Sequence, residues 1–583
     1  MWQPLAVLGV WLWMSAALWN YVATHAARIP LRDDLELVPF VRPGVPWDWG
    51  LLWALHNEHR VPLPRMIASG LFGIFDDVRA GMFFDVVLLA LLAAAMILVA
   101  RKIRGRTLVV DAVFPLLWLS TGNAENLLMS FQVALILPTV LACTLWLIVL
   151  RRARSGFTRA EALVIGLCLV LLPLCGGPGI TQLPAFAAGV VAALIWLRGT
   201  TEPRSRAARW VLAGLLLAAL AVVALYMVGY RRPDTETPAH DLARMFETAA
   251  HVVSLAFGIA GSKWWPWSGV VCGLCAILTT ILCLRAWRER SDERPRIVAL
   301  LSGMGAVATL ALAIGWGRGG GGSEVGFAAR YITLPGPWIA ITVFACILYG
   351  GRLTSVLVPA ALAFVLWAGN YTINTPFGRE YGGAYSNIGR QFTDDLKGPL
   401  PAQRVVNKWT GIAYPNRQRL YQLLGYMANA EVYPFDGGDV ALRRKYAESI
   451  LDLPPASIQA PVPPLRRFFH ELCDVLAVPT DSRLFLEVPA GARSFAGVFG
   501  VPPIWVERGT TAGIRAIVRA EPGGTVLFDG VIDPVRVEKD RGPQRFEATF
   551  EPGAVQRLVL EITWPEGAPH VADWGYWADV YFD

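Results

Sequence analysis

Arg32-Asp33-Asp34-Leu35-Glu36 sets two adjacent carboxylates directly after a first run of about 20 apolar residues, long enough to cross a bilayer. Ionisable groups at such a boundary are costly to keep without a partner, so Asp33 and Asp34 are candidate functional residues. A carboxylate here can take a proton from an attacking hydroxyl as general base. Two together can hold a divalent cation, Mg or Mn, that neutralises a departing phosphate, so any metal would belong to Asp33 and Asp34. The plain alternative is a solvated charge cluster flanking a helix end.

Further polar groups cluster in other connections. Trp53-Ala54-Leu55-His56-Asn57-Glu58-His59-Arg60 is followed by Pro62-Leu63-Pro64-Arg65, then by Glu125-Asn126 with Phe131-Gln132, and much later by Arg330-Tyr331. Glu58, His59, Arg60, Arg65, Glu125, Asn126, Gln132, Arg330 and Tyr331 are candidate substrate-binding residues. An arginine at a helix start suits a phosphate because its guanidinium is forked and permanently charged. Each has a plainer reading. Glu58 and Arg60 fit a solvated surface helix, Glu125 and Gln132 fit caps that stitch helix ends, and Arg318 fits a loop anchor. His56 and His59 lack an evident third metal ligand. Asp76-Asp77 reads as a charged flank, and Asp85 and Asp111 as locally paired groups.

These residues need a scaffold, and composition defines it. The 583 residues are 55% hydrophobic and only 17% charged, with mean hydropathy +0.45. Soluble domains carry about 25% charge. Apolar runs of spanning length lie near 4–25, 82–100, 107–121, 132–150, 161–175, 182–198, 209–229, 266–285, 297–316, 332–349 and 353–369, about eleven in all, those at 107–121 and 161–175 being the shortest. Basic clusters occupy alternate connections: Arg101 to Arg106, Arg151 to Arg154, Arg204 to Arg209, Arg285 to Arg296, and Arg352. The positive-inside rule puts these and the N-terminus in the cytoplasm, and every candidate residue outside. The net charge of +7 follows from these clusters and is no nucleic-acid signal. The loop at 230–265 opens Tyr230-Arg231-Arg232-Pro233 and holds a weakly amphipathic stretch from Asp241 to Phe257, while Leu51, Leu52 and Leu55 suggest an amphipathic helix on the membrane surface. The first span reads as retained rather than cleaved.

After Asn370 the composition turns polar. Helices are expected at 402–410 and 417–428, with proline-rich connections such as 453–464. From about 481, short alternating runs at 484–488, 513–518, 525–528, 545–550, 557–563 and 580–582 read as a β-sandwich of jelly-roll type. The expected domains are a transmembrane domain at 1–370, a helical linker region at 371–480 and the sandwich at 481–583. Seven of eight cysteines lie in apolar segments, and Cys272 and Cys275 read as a packed pair rather than zinc ligands.

The order of these features resembles the GT-C superfamily of membrane glycosyltransferases: one span, the acidic pair, a long first outer loop, about eleven spans, and Arg330-Tyr331 before a late one. The runs at 56–60 and 125–132 also resemble uncharacterised bacterial members. The resemblance covers roughly residues 1–370. It implies a polyprenyl-phosphate-linked sugar as donor and a cell-envelope glycan, lipid or protein as acceptor. It implies an inverting reaction at the periplasmic face of a bacterial inner membrane, with Asp33 or Asp34 as base, Arg330 near the donor phosphate, and metal use open. No sequon-reading motif of the oligosaccharyltransferase branch is recognisable. The ending Ala572-Asp573-Trp574-Gly575-Tyr576-Trp577-Ala578-Asp579 resembles the closing strand of carbohydrate-binding jelly-roll modules, with Trp574 and Trp577 either stacking on sugars or filling the core. The competing readings are a transporter or flippase of lipid-linked glycans and a non-catalytic glycan-binding scaffold. The spans show few charges along a path and no obvious duplicated halves, which disfavours a transporter.

Overall fold

A computed structural model describes residues 2–41, 47–151, 158–197, 203–230, 237–466, 472–568 and 573–583. Arg152 to Arg154, Arg231 to Pro233 and Ala572 lie outside the described residues.

Among the described residues, nine helices are long and apolar enough to cross a membrane: Trp2–His25, Arg79–Arg104, Ser130–Arg151, Gly177–Ile195, Arg206–Met227, Trp267–Glu289, Ser291–Gly321, Ala329–Tyr349 and Thr354–Lys397. They account for all the expected runs except the two shortest. The run at 161–175 is a 13-residue helix, Arg159–Leu171, started by a Thr158–Glu161 capping box and followed by a 3-10 turn, Pro173–Cys175. The run at 107–121 is broken into a 3-10 turn (Val109–Ala112), a six-residue helix (Val113–Trp118) and a second turn (Thr121–Asn123). It still travels from one helix end to another. Asp111 pairs with Arg104 at the basic end of Arg79–Arg104. At its other end, Ser120 Oγ and the Leu116 carbonyl bond the Asn370 amide at 2.7 and 2.8 Å.

The chain packs as two compact units. One comprises Met1–Arg28 and Pro46–Ile388; the other comprises Ile29–Val45 and Gly389–Asp583. The boundary does not follow the composition change at 370, because helix Thr354–Gly369 runs on through a π-turn at Asn370–Asn374 into helix Thr375–Lys397.

In the helical unit, Arg159–Leu171 packs on Pro203–Met227, and Arg294–Arg318 packs on both Gly177–Leu197 and Leu242–Ser254. In its core Phe114 stacks on Phe344 at 5.3 Å between ring centroids, and Trp146 meets Phe344 edge-on at 5.6 Å. The amphipathic stretch is the helix Leu242–Ser254, whose N-terminus is capped by the Asp241 carboxylate accepting from Arg244 N–H at 2.7 Å. The expected surface helix near residue 50 is reduced to five residues, Trp49–Trp53. Beyond it the chain extends into a hairpin, β1 (Leu55–His56) and β2 (His59–Arg60), with Asn57 in the left-handed region at its turn.

In the second unit, helices Ala402–Trp409 and Arg417–Asn429 form as their pattern predicts. The strands are β3 (Ile458–Gln459), β4 (Leu465–Arg466), β5 (Val475–Pro479), β6 (Ser482–Glu487), β7 (Ser494–Gly500), β8 (Ile514–Glu521), β9 (Thr525–Ile532), β10 (Gln544–Thr549), β11 (Arg557–Thr563) and β12 (Trp574–Phe582). They build two five-stranded antiparallel sheets in the orders β10-β7-β12-β5-β4 and β3-β6-β11-β8-β9. Phe495, Phe499, Phe546 and Trp577 from the first sheet and Leu484, Val518, Leu558 and Leu560 from the second share one buried core. The β-structure starts before 481, since β3 to β5 precede that position. Trp577 is fully buried in that core, while Trp574 is half-buried against the cluster on the sheet's other face.

Candidate functional site

The acidic pair belongs to the second unit. Arg32–Phe40 is a 3-10 helix whose first residue has φ 53° and whose Arg32 N–H donates to the Ala413 carbonyl at 2.7 Å. Glu36 anchors it. Its carboxylate accepts from Tyr414 Oη at 2.5 Å and from Arg419 Nε and Nη2 at 3.0 and 2.6 Å. Burial, then the bond to Glu36, pushes the Tyr414 hydroxyl well above the usual phenol range. The two aspartates are unequal: Asp34 is fully buried, whereas Asp33 is half-buried. Among the described residues, no three His, Cys, Asp or Glu side chains gather as a metal site.

The remaining candidates lie in the helical unit and fall into two groups. The first is the hairpin. Glu58 is buried at its turn, pairs with Arg318 at the end of helix Arg294–Arg318, and lies 3.2 Å from His59 Nε2. Burial pushes the Glu58 carboxyl up, but the His59 hydrogen bond and the charges of His59 and Arg318 outweigh it and hold the group well below the usual carboxylate range. His59 lies against Gly177, where an added Cβ would come 2.6 Å from the ring. Arg60 is buried, not solvated, and its guanidinium donates to three carbonyls: Tyr226 (3.2 Å), Trp53 (2.9 Å) and Val228 (2.8 Å). Arg65 is buried likewise and donates to the Leu51 and Ala54 carbonyls at 3.1 and 2.6 Å, holding the end of the short helix before the hairpin. Both arginines are thus committed to backbone carbonyls, an arrangement that leaves a phosphate little to compete for. His56 packs on the Phe131 ring at 4.5 Å.

The second group is built on Asn126. This residue is fully buried, and its Nδ2 donates to Asn123 Oδ1 (2.8 Å), the Arg330 carbonyl (3.0 Å) and Thr333 Oγ1 (2.9 Å). It therefore stitches the turn carrying Glu125 to the turn carrying Arg330. Glu125 and Arg330 are both half-buried, and among the described residues neither side chain has an ion-pair or hydrogen-bond partner. Arg330 lies over the ring of Tyr331, which is itself buried, at 5.3 Å. Gln132 is buried and its Nε2 reaches Met129 Sδ at 3.5 Å.

Behind this group sits a network that sequence patterns did not single out. Asn374 on the π-turn donates to the Phe257 carbonyl (3.0 Å) and to Asn370 Oδ1 (2.9 Å), and accepts from Ala260 N–H (2.9 Å). Ser120, Asn123, Thr333, Asn370 and Asn374 line a cavity of about 20 Å³, room for a single water. The available signal was a pair of asparagines four residues apart at the end of an apolar run, which puts both on one helix face. Glu36 is the other omission. Its partners lie 378 and 383 residues away, beyond any local pattern.

A half-buried guanidinium and a half-buried carboxylate, both unpaired among the described residues and on turns joined through one buried amide, form an arrangement that can bind an anion and accept a proton. No family model matches this sequence, and no curated protein matches it.

Proposed function

We propose that this protein is a membrane-embedded glycosyltransferase of GT-C type. It moves one sugar from a polyprenyl-phosphate donor to a cell-envelope glycan, lipid or protein acceptor. The reading includes a bacterial inner membrane, a cytoplasmic N-terminus, a periplasmic second unit, and a jelly-roll kinship for the sandwich with carbohydrate-binding modules. The observation that carries it is the Arg330 guanidinium beside the turn of Glu125, unpaired among the described residues, in a unit whose helices are long and apolar enough to span a bilayer.

Arg330 binds the donor phosphate and stabilises the charge that grows on it as the bond to the sugar breaks. Asp33 is the general base. Its exposure favours it over the buried Asp34, because a base must reach the hydroxyl it deprotonates. The acceptor oxygen attacks C1 from the face opposite the leaving phosphate, so C1 inverts; the hydroxyl proton goes to the carboxylate and the electron pair of the broken C1–O bond to the polyprenyl phosphate. No step is assigned to a cation. Glu125 is the second candidate base, favoured by sharing a unit with Arg330.

The test is transfer of radiolabelled sugar from a panel of polyprenyl-phosphate sugars in membranes carrying Asp33→Asn, Asp34→Asn, Glu125→Gln or Arg330→Gln. Loss of a general base lowers the rate by roughly 10²–10⁴-fold. Full transfer by Asp33→Asn with loss in Glu125→Gln moves the base to Glu125. Full transfer by both, or by Arg330→Gln, overturns the reading.

A further inference from the structure

The helical unit holds a second, half-open cavity of about 250 Å³, lined by segments next to the basic connections. Its lining includes Trp146, Leu169, Phe186, Trp287, Arg294 and Ser302, and apart from the Trp indoles only Arg294 and Ser302 carry polar side chains. The exposed Arg294 guanidinium lies over the Trp287 ring at 5.0 Å. Of the acids nearby in sequence, Glu293 pairs with Arg296 at 3.1 Å and Glu289 with Arg285 at 2.9 Å, and Asp292 is engaged with a group other than Arg294. Among the described residues Arg294 has no carboxylate partner.

An apolar pocket with one unneutralised cation at its rim is complementary to an amphiphile with an apolar chain and an anionic head. Filling it with water leaves its apolar lining hydrated, whereas an acyl chain removes that surface from water. We propose that this cavity takes one acyl chain of an anionic phospholipid, with Arg294 holding the headgroup phosphate.

Native mass spectrometry of the full chain, released from vesicles of equal parts phosphatidylglycerol and phosphatidylethanolamine, reads which lipid is retained last. The wild type is expected to keep phosphatidylglycerol over phosphatidylethanolamine by roughly fivefold, the preference one basic side chain gives at a membrane surface. Arg294→Gln should bring the ratio near one, and Ala299→Phe, which fills the cavity, should lower retention of both. A ratio near one in the wild type, or a preference that survives Arg294→Gln, overturns the proposal. Should Ala299→Phe fail to fold, the Arg294→Gln ratio decides alone.

Discussion

Replacing Arg419 with Gln perturbs the acidic turn without touching either aspartate. The substitution removes two charge-assisted hydrogen bonds to Glu36, at 3.0 and 2.6 Å, and leaves that carboxylate with the Tyr414 hydroxyl at 2.5 Å. The side chains of the pair are 29% and 12% exposed, between the surface and buried limits. Exposed pairs contribute about 0.2–1 kcal/mol and breaking a buried one costs about 3–5 kcal/mol. An intermediate cost of about 2 kcal/mol is expected, roughly 30-fold in the opening equilibrium of the turn. Hydrogen exchange measures this directly. The amides of Arg32, Asp34 and Val41 donate to the carbonyls of Ala413, Leu31 and Val38, so their protection reports on the turn. In Arg419→Gln they should exchange about 30-fold faster, while amides in β6 and β11 of the same unit stay within about twofold. The Glu36→Gln/Arg419→Gln cycle should show a coupling of about 1–2 kcal/mol. Unchanged exchange of the three amides, or a coupling near zero, would refute the reasoning. If Asp33 is the base, the same variant also lowers sugar transfer.

Three further outcomes are expected. Glu58→Gln should destabilise the helical unit, with a defined pH dependence. The folded-state value of Glu58 is depressed, so its stabilisation is fully present above the ordinary glutamate value of ~4.3 and is lost as pH falls toward the folded value. In thermal melts, the gap between wild type and Glu58→Gln should be flat from neutral pH down to about 5 and narrow below the ordinary value; a gap that widens on acidification contradicts it. Gly177→Ala should cost about 1–3 kcal/mol, since its Cβ would come 2.6 Å from the His59 ring, and a melt equal to wild type would show that the hairpin yields without cost. Trp577→Ala should cost about 3–5 kcal/mol because the indole is fully buried among the rings of Phe499 and Phe546, whereas the half-buried Trp574 should cost clearly less in the same denaturation assay.

Local pattern carried far along this chain. Helix Arg417–Asn429 appears where its apolar spacing puts it, and β11 spans Arg557–Thr563 as its alternation predicts. The strands that escaped notice have a physical reason. β5 is buried at all five positions, so it shows no alternation, and β7 carries glycine at two positions. The segment at 107–121 reads as a span by hydropathy, yet it is held as turns by side-chain bonds to residues near 370 that a hydropathy window does not contain.

The acidic pair separates the two kinds of information most clearly. Sequence alone determined that two carboxylates follow the first apolar run, that basic clusters occupy alternate connections between the apolar runs, and that the region after Asn370 is polar and rich in strand-like alternation. Those are properties of composition and short-range period, set by how each residue type partitions between water and an apolar phase. Only the tertiary structure decided that Asp34 is buried and Asp33 half-exposed, that Glu36 ties the turn to Arg419, and that Arg60 and Arg65 spend their guanidinium groups on carbonyls. It also left Glu125 and Arg330 without a partner among the described residues, on turns joined by Asn126. Those outcomes depend on which distant groups a side chain meets, and a buried donor or acceptor takes the partner that folding brings to it.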